Sequence, residues 1–449
     1  MPPVPAFRSR VAVVGLGIAL ALGGVAACRC GEPDGATPAV AAPRGRILVF
    51  GIDAATPRLV EPWMEEGLLP NLQGLAREGA WGPLASHHPL LSPRIWTSIA
   101  TGKAPKRHGI ESWVHRKGPR KRRLYRSTDR KGPALWNILS DRGLRVGVVN
   151  WLITYPPEKV DGVLVSDFAI PGERRSWENM AIVHGRKNAP PQGPIDEAVT
   201  AWPASWLERI WSLAAPGGRM PGVDDPVAPW ADNRFVAPLI ERPRYTDDVA
   251  VRIALAVEEE ENPDLLMVYL PGIDRISHFF WGGVEPGEAY PEDVRPTDAQ
   301  RAVWREVMRT YYAYTDSLLG VLLARYGPDD LVLVVSDHGF EARGDEAGIT
   351  GNHLTAAAET GVIFARGPGV PAASRIEGMS VNDLTPTVLA WLGLPVAQDM
   401  DGRPGAFLEV EATEEIASYD RGPIERVETT SDELEKDVIE QLRVLGYVE

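Results

Sequence analysis

The sequence predicts an α/β fold in which a doubly wound, mainly parallel sheet is sandwiched by helices. Four short apolar runs lack polar alternation, at residues 46–52, 145–150, 264–270 and 331–336. Such runs are typical of strands buried on both faces of a parallel sheet. Stretches with helical period separate them, at residues 57–78, 136–142, 247–261 and 299–325, and this alternation favours a doubly wound sheet. With 449 residues, 44% of them apolar, the chain can bury a large core.

The N-terminal segment has the layout of an export signal. Arg8 and Arg10 precede an apolar run at residues 11–27, which is shorter than the about 20 residues that a spanning helix needs. Residues 25–28 (VAAC) resemble the bacterial lipobox, in which the cysteine becomes acylated. We therefore expect residues 1–28 to be a lipoprotein-type signal peptide and the exported chain to be lipid-anchored to a membrane of the bacterial cell envelope at Cys28. An uncleaved membrane anchor is the alternative.

The rest of the chain divides into a tether, a domain and a tail. Residues 29–45 are rich in Pro, Ala and Gly, which predicts a flexible tether. We expect the folded domain at residues 46–405, followed by an acidic tail at 406–449 with an amphipathic helix at 432–445. Residues 111–244 are less regular and rich in Pro and Trp, and we expect a cap inserted there between core strands. Alternatively, these tryptophans simply fill the core of the insert.

Charge and cysteine content exclude several classes of protein. The net charge is -14, from 47 basic and 61 acidic side chains, and this argues against binding to a nucleic acid polymer. Residues 115–130 are a basic exception, either a solvated loop or a docking surface for anionic substrates or lipid head groups. Cys28 and Cys30 are the only cysteines, so the domain has neither disulfides nor thiolate zinc sites. The sequence does not indicate an oligomeric state.

Acids and histidines follow the predicted strands at the edge where open α/β sheets bind their ligands. They are Asp53 after the first run, Asp274 and His278 after the third, Asp337 and His338 after the fourth, and His353 in the next loop. Any one of them has an ordinary explanation as a helix cap or loop residue. Their repetition after three separate strands predicts instead two divalent metal ions. Carboxylates mixed with imidazoles suit Zn²⁺, and Mn²⁺ would accept them too.

Ser92 is the candidate nucleophile. A serine followed by Pro93 and a helical pattern reads as a helix N-cap, and that role is compatible with chemistry. Backbone N–H groups and the helix dipole favour a phosphate at a helix N-terminus. A bound metal would also lower the pKa of the serine hydroxyl.

These residues carry a family resemblance. Residues 92–110 (SPRIWTSIATGKAPKRHGI) resemble the nucleophile segment of the type I phosphodiesterase/nucleotide pyrophosphatase branch of the alkaline phosphatase superfamily. The strings GID at 51–53, D-x-x-x-H at 274–278, SDHG at 336–339 and G-x-H at 351–353 resemble the metal motifs of that branch, in the same order. The similarity runs from residue 46 to residue 404 and is loose over 111–244.

The resemblance implies an alkaline-phosphatase-like fold and a hydrolase of phosphate esters. One metal ion would be held by Asp274, His278 and His353. The other would be held by Asp53, Asp337, His338 and the Ser92 oxygen. The reaction would pass through a covalent intermediate on Ser92 that water then hydrolyses, and His108 would be structural.

Two departures from the family pattern leave the substrate open. The Asn that commonly follows His-Gly-Ile, where it helps bind the phosphoryl oxygen, is replaced by Trp113, and the nucleophile is Ser where Thr is usual. We expect a small-molecule or head-group phosphate ester as the substrate, and the sequence does not indicate whether it is a nucleotide, a lipid head group or a phosphorylated glycan. A sulfatase is disfavoured because Pro93 and Arg94 follow Ser92 at one and two residues, whereas sulfatases need two and four. An envelope phosphotransferase and a non-catalytic envelope binding protein remain alternatives.

Overall fold

The computed structural model describes residues 45–116, 122–167, 169–170, 201–214, 218–344, 348–411 and 414–427. These residues belong to the unit Ala39–Glu449. The expected signal peptide, the tether up to residue 44 and the terminal helix at 432–445 lie outside the described residues. Within the ranges given above, no helix is both long and apolar enough to cross a membrane.

The strands are numbered in chain order. They are β1 (Ile47–Ile52), β2 (Ala80–Ala85), β3 (Val114–Arg116), β4 (Arg122–Leu124), β5 (Val146–Val149), β6 (Gly162–Val165), β7 (Ala201–Trp202), β8 (Leu265–Leu270), β9 (Leu331–Val335), β10 (Glu341–Ala342), β11 (Gly351–Asn352), β12 (Thr360–Arg366), β13 (Ser374–Arg375), β14 (Met379–Ser380), β15 (Val396–Ala397) and β16 (Glu415–Ile416). The four predicted runs correspond to β1, β5, β8 and β9.

The α-helices are numbered in the same way. They are α1 (Pro57–Glu65), α2 (Pro70–Glu78), α3 (Ser92–Thr101), α4 (Pro105–His108), α5 (Leu135–Ser140), α6 (Trp206–Leu213), α7 (Ala237–Glu261), α8 (Gly272–Phe280), α9 (Asp298–Leu323) and α10 (Leu384–Trp391). Several of them have proline in the first turn, where its missing N–H costs no hydrogen bond.

The main sheet has the strand order β13-β2-β12-β9-β1-β8-β5-β6-β7, with β14 also paired to β2. Its centre, from β9 to β6, is parallel, whereas β12 and β7 join antiparallel. In the register of the central strands, Gly51 of β1 lies between Tyr269 of β8 and Val335 of β9. The carboxyl ends of these three strands therefore meet at one edge. The predicted α/β fold with a mainly parallel sheet is confirmed.

Helices cover both faces of the sheet, as the alternation of side chains along β1 illustrates. Leu48, Phe50 and Ile52 pack into one core cluster with side chains of α1, α2, α7, α8 and α9. Ile47 and Val49 pack into a second cluster with side chains of α3, α5 and α10. Because both faces of β1 are buried, the strand is apolar throughout, and this explains the continuous run in the sequence.

Two expectations about local structure need correction. The helical pattern at residues 57–78 forms two helices, α1 and α2, because Gly67, with φ at 75°, and Pro70 interrupt it. Residues 111–244 contain β5, β6 and β7, which are strands of the main sheet and not of a separate insert. The extent of a cap within this range stays a prediction.

The described part of the tail packs on the domain. In this segment β16 pairs with β15, and Val427 N–H donates to the carbonyl of Pro157. The guanidinium of Arg426 lies 3.3 Å from Glu158 Oε1. Glu158 is fully buried and also accepts hydrogen bonds from Arg130 at 2.8 Å and Trp136 at 2.7 Å. The tail thus contributes one cation to a buried ion cluster.

Candidate metal centre

The six acids and histidines predicted as metal ligands all lie at the carboxyl edge of the parallel strands. Asp53 follows β1, Asp337 and His338 follow β9, and His353 follows β11 directly. Asp274 and His278 are four residues apart on α8, so they share one face of that helix. All six are buried. They form two groups, Asp53 with Asp337 and His338, and Asp274 with His278 and His353, in each of which the candidate ligand atoms lie within 4.8 Å of one another.

In the first group, one imidazole nitrogen faces two carboxylates. His338 Nε2 lies 3.3 Å from Asp53 Oδ1 and 3.4 Å from Asp337 Oδ2. His338 Nδ1 lies 2.9 Å from the carbonyl of Gly339, so the ring proton is on Nδ1 and the lone pair of Nε2 points at the carboxylates. The other carboxylate oxygens are held by neighbours. Ala54 N–H donates to Asp337 Oδ1 at 3.2 Å, and the Tyr269 hydroxyl donates to Asp53 Oδ2.

The second group repeats this arrangement around one carboxylate. His278 Nε2 lies 3.7 Å from Asp274 Oδ2, and His353 Nε2 lies 3.6 Å from Asp274 Oδ1. Again each Nδ1 faces a backbone carbonyl, that of Gly351 at 3.2 Å and that of Leu90 at 2.9 Å. Such bonds orient the ring of a metal-binding histidine and fix its tautomer. The two groups adjoin, because the rings of His338 and His353 stack with centroids 4.1 Å apart.

The residues fit divalent metal ions. In both groups acceptor atoms face one another, a lone pair of nitrogen against a carboxylate oxygen. Within the described residues, Asp53 Oδ1, Asp274 Oδ1, Asp337 Oδ2 and His338 Nε2 are buried without a hydrogen-bond partner. Buried polar atoms without partners are rare and costly, and a cation between facing acceptors would satisfy them. The nitrogen and oxygen donors match the ligands that zinc uses.

The electrostatics of the protein alone disfavour the charges at this site. Burial, and then the charge of Asp53, raise the pKa of Asp274 and of Asp337 well above the usual range of a carboxyl group. Burial lowers the pKa of His278 to about 4 and that of His353 well below its usual value, so both histidines are neutral at pH 7. Neutral imidazoles and closely spaced carboxylates are the state that a divalent cation would stabilise.

Ser92 is the first residue of α3, and residues before and after it in the sequence contact residues of the two groups or their neighbours. Two residues earlier, the carbonyl of Leu90 faces His353 Nδ1 at 2.9 Å. Four residues later, the ring of Trp96 packs edge-on against Tyr269, the residue whose hydroxyl donates to Asp53, with centroids 4.9 Å apart. The predicted N-cap role is wrong, since Leu91 is the N-cap residue and no side chain caps the helix. The residues around Ser92 thus contact His353 of the second group directly, and the first group through Tyr269.

Comparison with protein-family models decides the family. Residues 47–388 match the model described as type I phosphodiesterase / nucleotide pyrophosphatase, which is more than half of the chain. The chain belongs to this family. It is thus a phosphoester hydrolase of the alkaline phosphatase superfamily, a superfamily that depends on metal ions. No curated protein matches the chain.

Solved structures with some similarity include three enzymes. One is a putative sulfatase from Bacteroides thetaiotaomicron VPI-5482, with 13% identity, 80% of this chain and 73% of that chain covered, and a TM-score of 0.48. A phosphonate monoester hydrolase from Silicibacter pomeroyi has 18% identity, with 80% of this chain and 75% of that chain covered and a TM-score of 0.44. A phosphonoacetate hydrolase from Sinorhizobium meliloti 1021, in complex with phosphonoformate, has 17% identity, with 69% of this chain and 60% of that chain covered and a TM-score of 0.38.

Sequence reasoning missed the side chains that support the site of this family member. Tyr269 donates to Asp53, and Trp96 of α3 packs edge-on against Trp151 with ring centroids 5.0 Å apart. Tyr269 lies inside an apolar run, where it reads as core. The available signal was its register, since a tyrosine one residue before the end of a strand can reach a residue at the end of the next strand.

Other family positions have structural roles here. His108 is fully buried, with Nε2 3.0 Å from Ser98 Oγ of α3 and Nδ1 accepting from Ile110 N–H at 3.1 Å. Trp113 packs at the edge of the second core cluster.

Part of the basic run at 115–130 forms internal ion pairs, Arg123 with Asp129 at 2.5 Å and Arg130 with Glu158 at 2.8 Å. A docking role for the remainder of the run stays a prediction.

Proposed function

We propose that the chain is a two-metal phosphodiesterase that acts through Ser92 and carries Zn²⁺ in its two acid and histidine groups. The observation that supports this most is the matched orientation of the three histidines. In His278, His338 and His353 alike, Nδ1 faces a backbone carbonyl and Nε2 faces a buried carboxylate. A metal centre requires this orientation, because each nitrogen lone pair and each carboxylate then faces the cation.

Each residue group has a role in the proposed reaction. Asp53, Asp337 and His338 would hold one ion beside Ser92, and Asp274, His278 and His353 would hold the other. Bound ions would neutralise phosphoryl charge, lower the pKa of the attacking hydroxyl and stabilise the leaving oxygen. The uncapped N-terminus of α3 supplies a dipole that favours the phosphoryl group next to Ser92.

The bonds exchanged follow from a serine nucleophile. Ser92 Oγ loses its proton and forms a bond to phosphorus, while the bond to the leaving alcohol breaks and that alcohol takes up a proton. A phosphodiester then links Ser92 to the retained half of the substrate. Water attacks this phosphorus from the opposite side, the bond to Ser92 Oγ breaks and the serine regains its proton. The products are an alcohol and a phosphate monoester.

Initial rates on a chromogenic phosphodiester and the matching monoester test this function. We expect zinc-dependent turnover that chelator removes and that Ser92→Ala or Asp337→Asn lowers by at least about 1,000-fold. Ser317→Ala is the matched control, since Ser317 lies in α9 and its hydroxyl donates to the carbonyl of Ala313. Turnover that survives Ser92→Ala would exclude the covalent route. The ratio of diester to monoester rates identifies the preferred substrate class.

We also propose that the chain is exported and lipid-anchored at Cys28. The support is the order of Arg8 and Arg10, the apolar run at 11–27 and the small residues before Cys28. Incorporation of a labelled fatty acid in a bacterial host tests it. We expect Cys28→Ser to abolish labelling and Cys30→Ser to leave it intact, whereas loss of label in both variants, or in neither, would contradict the assignment.

A further inference from the structure

The helix that carries Asp274 and His278 begins against a buried carboxylate. Asp247 lies in α7 and is 0% exposed. Its carboxylate lies against the backbone of Gly272, the first residue of α8. The hydroxyl of Tyr311, on α9, donates to Asp247 Oδ2 at 2.8 Å. Two long helices therefore converge on the first turn of α8 through one carboxylate.

The contact at Gly272 leaves no room for a side chain. A Cβ at this position would lie 2.0 Å from Asp247 Oδ2 and 2.1 Å from the Tyr311 hydroxyl. Carbon and oxygen atoms that are not bonded stay more than about 3 Å apart. The backbone of Gly272 thus rests directly on the carboxylate, and the start of α8 cannot shift towards α7.

The position of α8 determines the geometry of the second group of candidate metal ligands, which consists of Asp274, His278 and His353. Asp274 lies two residues after Gly272, and His278 lies one turn later on the same face. A second tie acts on the same turn, since Arg275 Nη1 donates to Thr246 Oγ1 at 3.3 Å. Thr246 is the neighbour of Asp247 in α7. The first turn of α8 is therefore held to α7 on both sides of Asp274.

We propose that Asp247 is a positioning residue for the second metal group. By packing against the backbone of Gly272, it sets the position of α8, so that Asp274 and His278 meet His353 at the distances a metal ion requires. The inference rests on the proposed metal-dependent function. It assigns a role in metal affinity to a residue outside both groups of candidate ligands.

Zinc binding to the full-length protein tests the proposal, by titration against a chromophoric chelator. We expect two ions per wild-type chain. In Asp247→Ala one of the two should bind about 10- to 100-fold more weakly, which is the effect of removing an outer support of a metal site. Asp247→Asn keeps the size of the side chain and an acceptor oxygen for the Tyr311 hydroxyl, and it should restore most of the affinity. In a His278→Ala background, Asp247→Ala should have no further effect on zinc affinity.

Asp316→Ala is the matched control. Asp316 is also buried against the start of a helix, in its case α2, where it accepts from the backbone N–H groups of Asn71 at 3.0 Å and Leu72 at 2.9 Å. We expect it to lower stability and leave both zinc affinities unchanged. If Asp247→Ala does not fold, Tyr311→Phe decides, with a smaller weakening of the same ion expected.

The outcomes separate this proposal from the function on which it rests. Two zinc ions of unchanged affinity in Asp247→Ala, or in Tyr311→Phe where only that variant folds, would overturn the positioning role and leave the metal-dependent function standing. A wild-type protein that binds no zinc would overturn both.

Discussion

Gly51→Ala should displace Ser92, the proposed nucleophile, and leave both groups of candidate metal ligands intact. Gly51 lies in β1, two residues before Asp53, and a Cβ there would lie 2.7 Å and 2.8 Å from two ring carbons of Trp96. Ordinary contacts between carbon atoms are about 3.5–4.0 Å, so the ring must retreat by roughly 1 Å. Because β1 is hydrogen-bonded on both sides, we expect α3 to move, and Ser92 with it.

The expected magnitudes follow from that displacement. A misplacement of about 1 Å costs on the order of 100-fold in rate, and overpacking a core costs about 1–3 kcal/mol of stability. We therefore expect Gly51→Ala to lower kcat on a chromogenic phosphodiester about 100-fold, with zinc content unchanged. Adding Trp96→Phe, which shortens the ring, should restore part of the rate.

Gly74→Ala is the control for this experiment. Gly74 lies inside α2, and a Cβ there would meet no heavy atom within 4 Å. Alanine should raise the free energy of unfolding by up to about 1 kcal/mol and leave kcat unchanged. A Gly51→Ala variant that loses stability but retains the wild-type kcat would show that the position of Ser92 does not depend on the packing of Trp96.

Three further predictions concern metal, acid and the tail. In the presence of a chelator, Asp337→Asn should be more stable than wild type at pH 7, because the substitution removes a buried carboxyl group with a raised pKa. With zinc at about 100 times Kd, the variant should lack the stabilisation of about 2.7 kcal/mol that the wild type gains from one bound ion. A zinc-induced rise in Tm as large as that of the wild type would contradict this prediction. Burial lowers the pKa of His108 from 6.5 to about 3, so the free energy of unfolding should fall as the pH drops through this window, by up to about 1.4 kcal/mol per pH unit. In urea unfolding at pH 7 and pH 5, His108→Gln should lose less stability at the lower pH than the wild type does. Equal losses in both proteins would argue against a lowered pKa of His108. Arg426→Ala should lower the free energy of unfolding by about 1–2 kcal/mol, since Glu158 keeps Arg130 but loses a second cation; an unchanged urea midpoint would mean that the tail does not stabilise the domain.

The central strands were predictable because burial on both faces removes polar residues from them. The edges of the sheet were not. Strand β2 reads AWGPLA, with Gly82 and Pro83 in its middle, and β13 and β14 have two residues each, too short for any pattern. Strand β7 lies within the range expected for a cap, where a two-residue pairing leaves no periodic signal.

The two groups of acids and histidines could be anticipated because the topology brings strand ends together. Asp53, Asp274 and Asp337 each follow an apolar run, and parallel strands place such residues at one edge. The side chains that hold these ligands or their helices in place could not be anticipated in the same way. Tyr269 and Asp247 act through contacts with residues far away in sequence, and a buried tyrosine or aspartate has the same appearance in a sequence whether it supports a ligand or a helix. Their roles depend on tertiary distances alone.

The two-metal account is tested most directly by anomalous diffraction at the zinc edge from crystals grown with zinc. Two peaks are expected. One should lie among Asp53, Asp337 and His338 and the other among Asp274, His278 and His353, with metal–nitrogen distances of about 2.0–2.1 Å. No peak in either group, or a single peak elsewhere on the protein, would contradict the account.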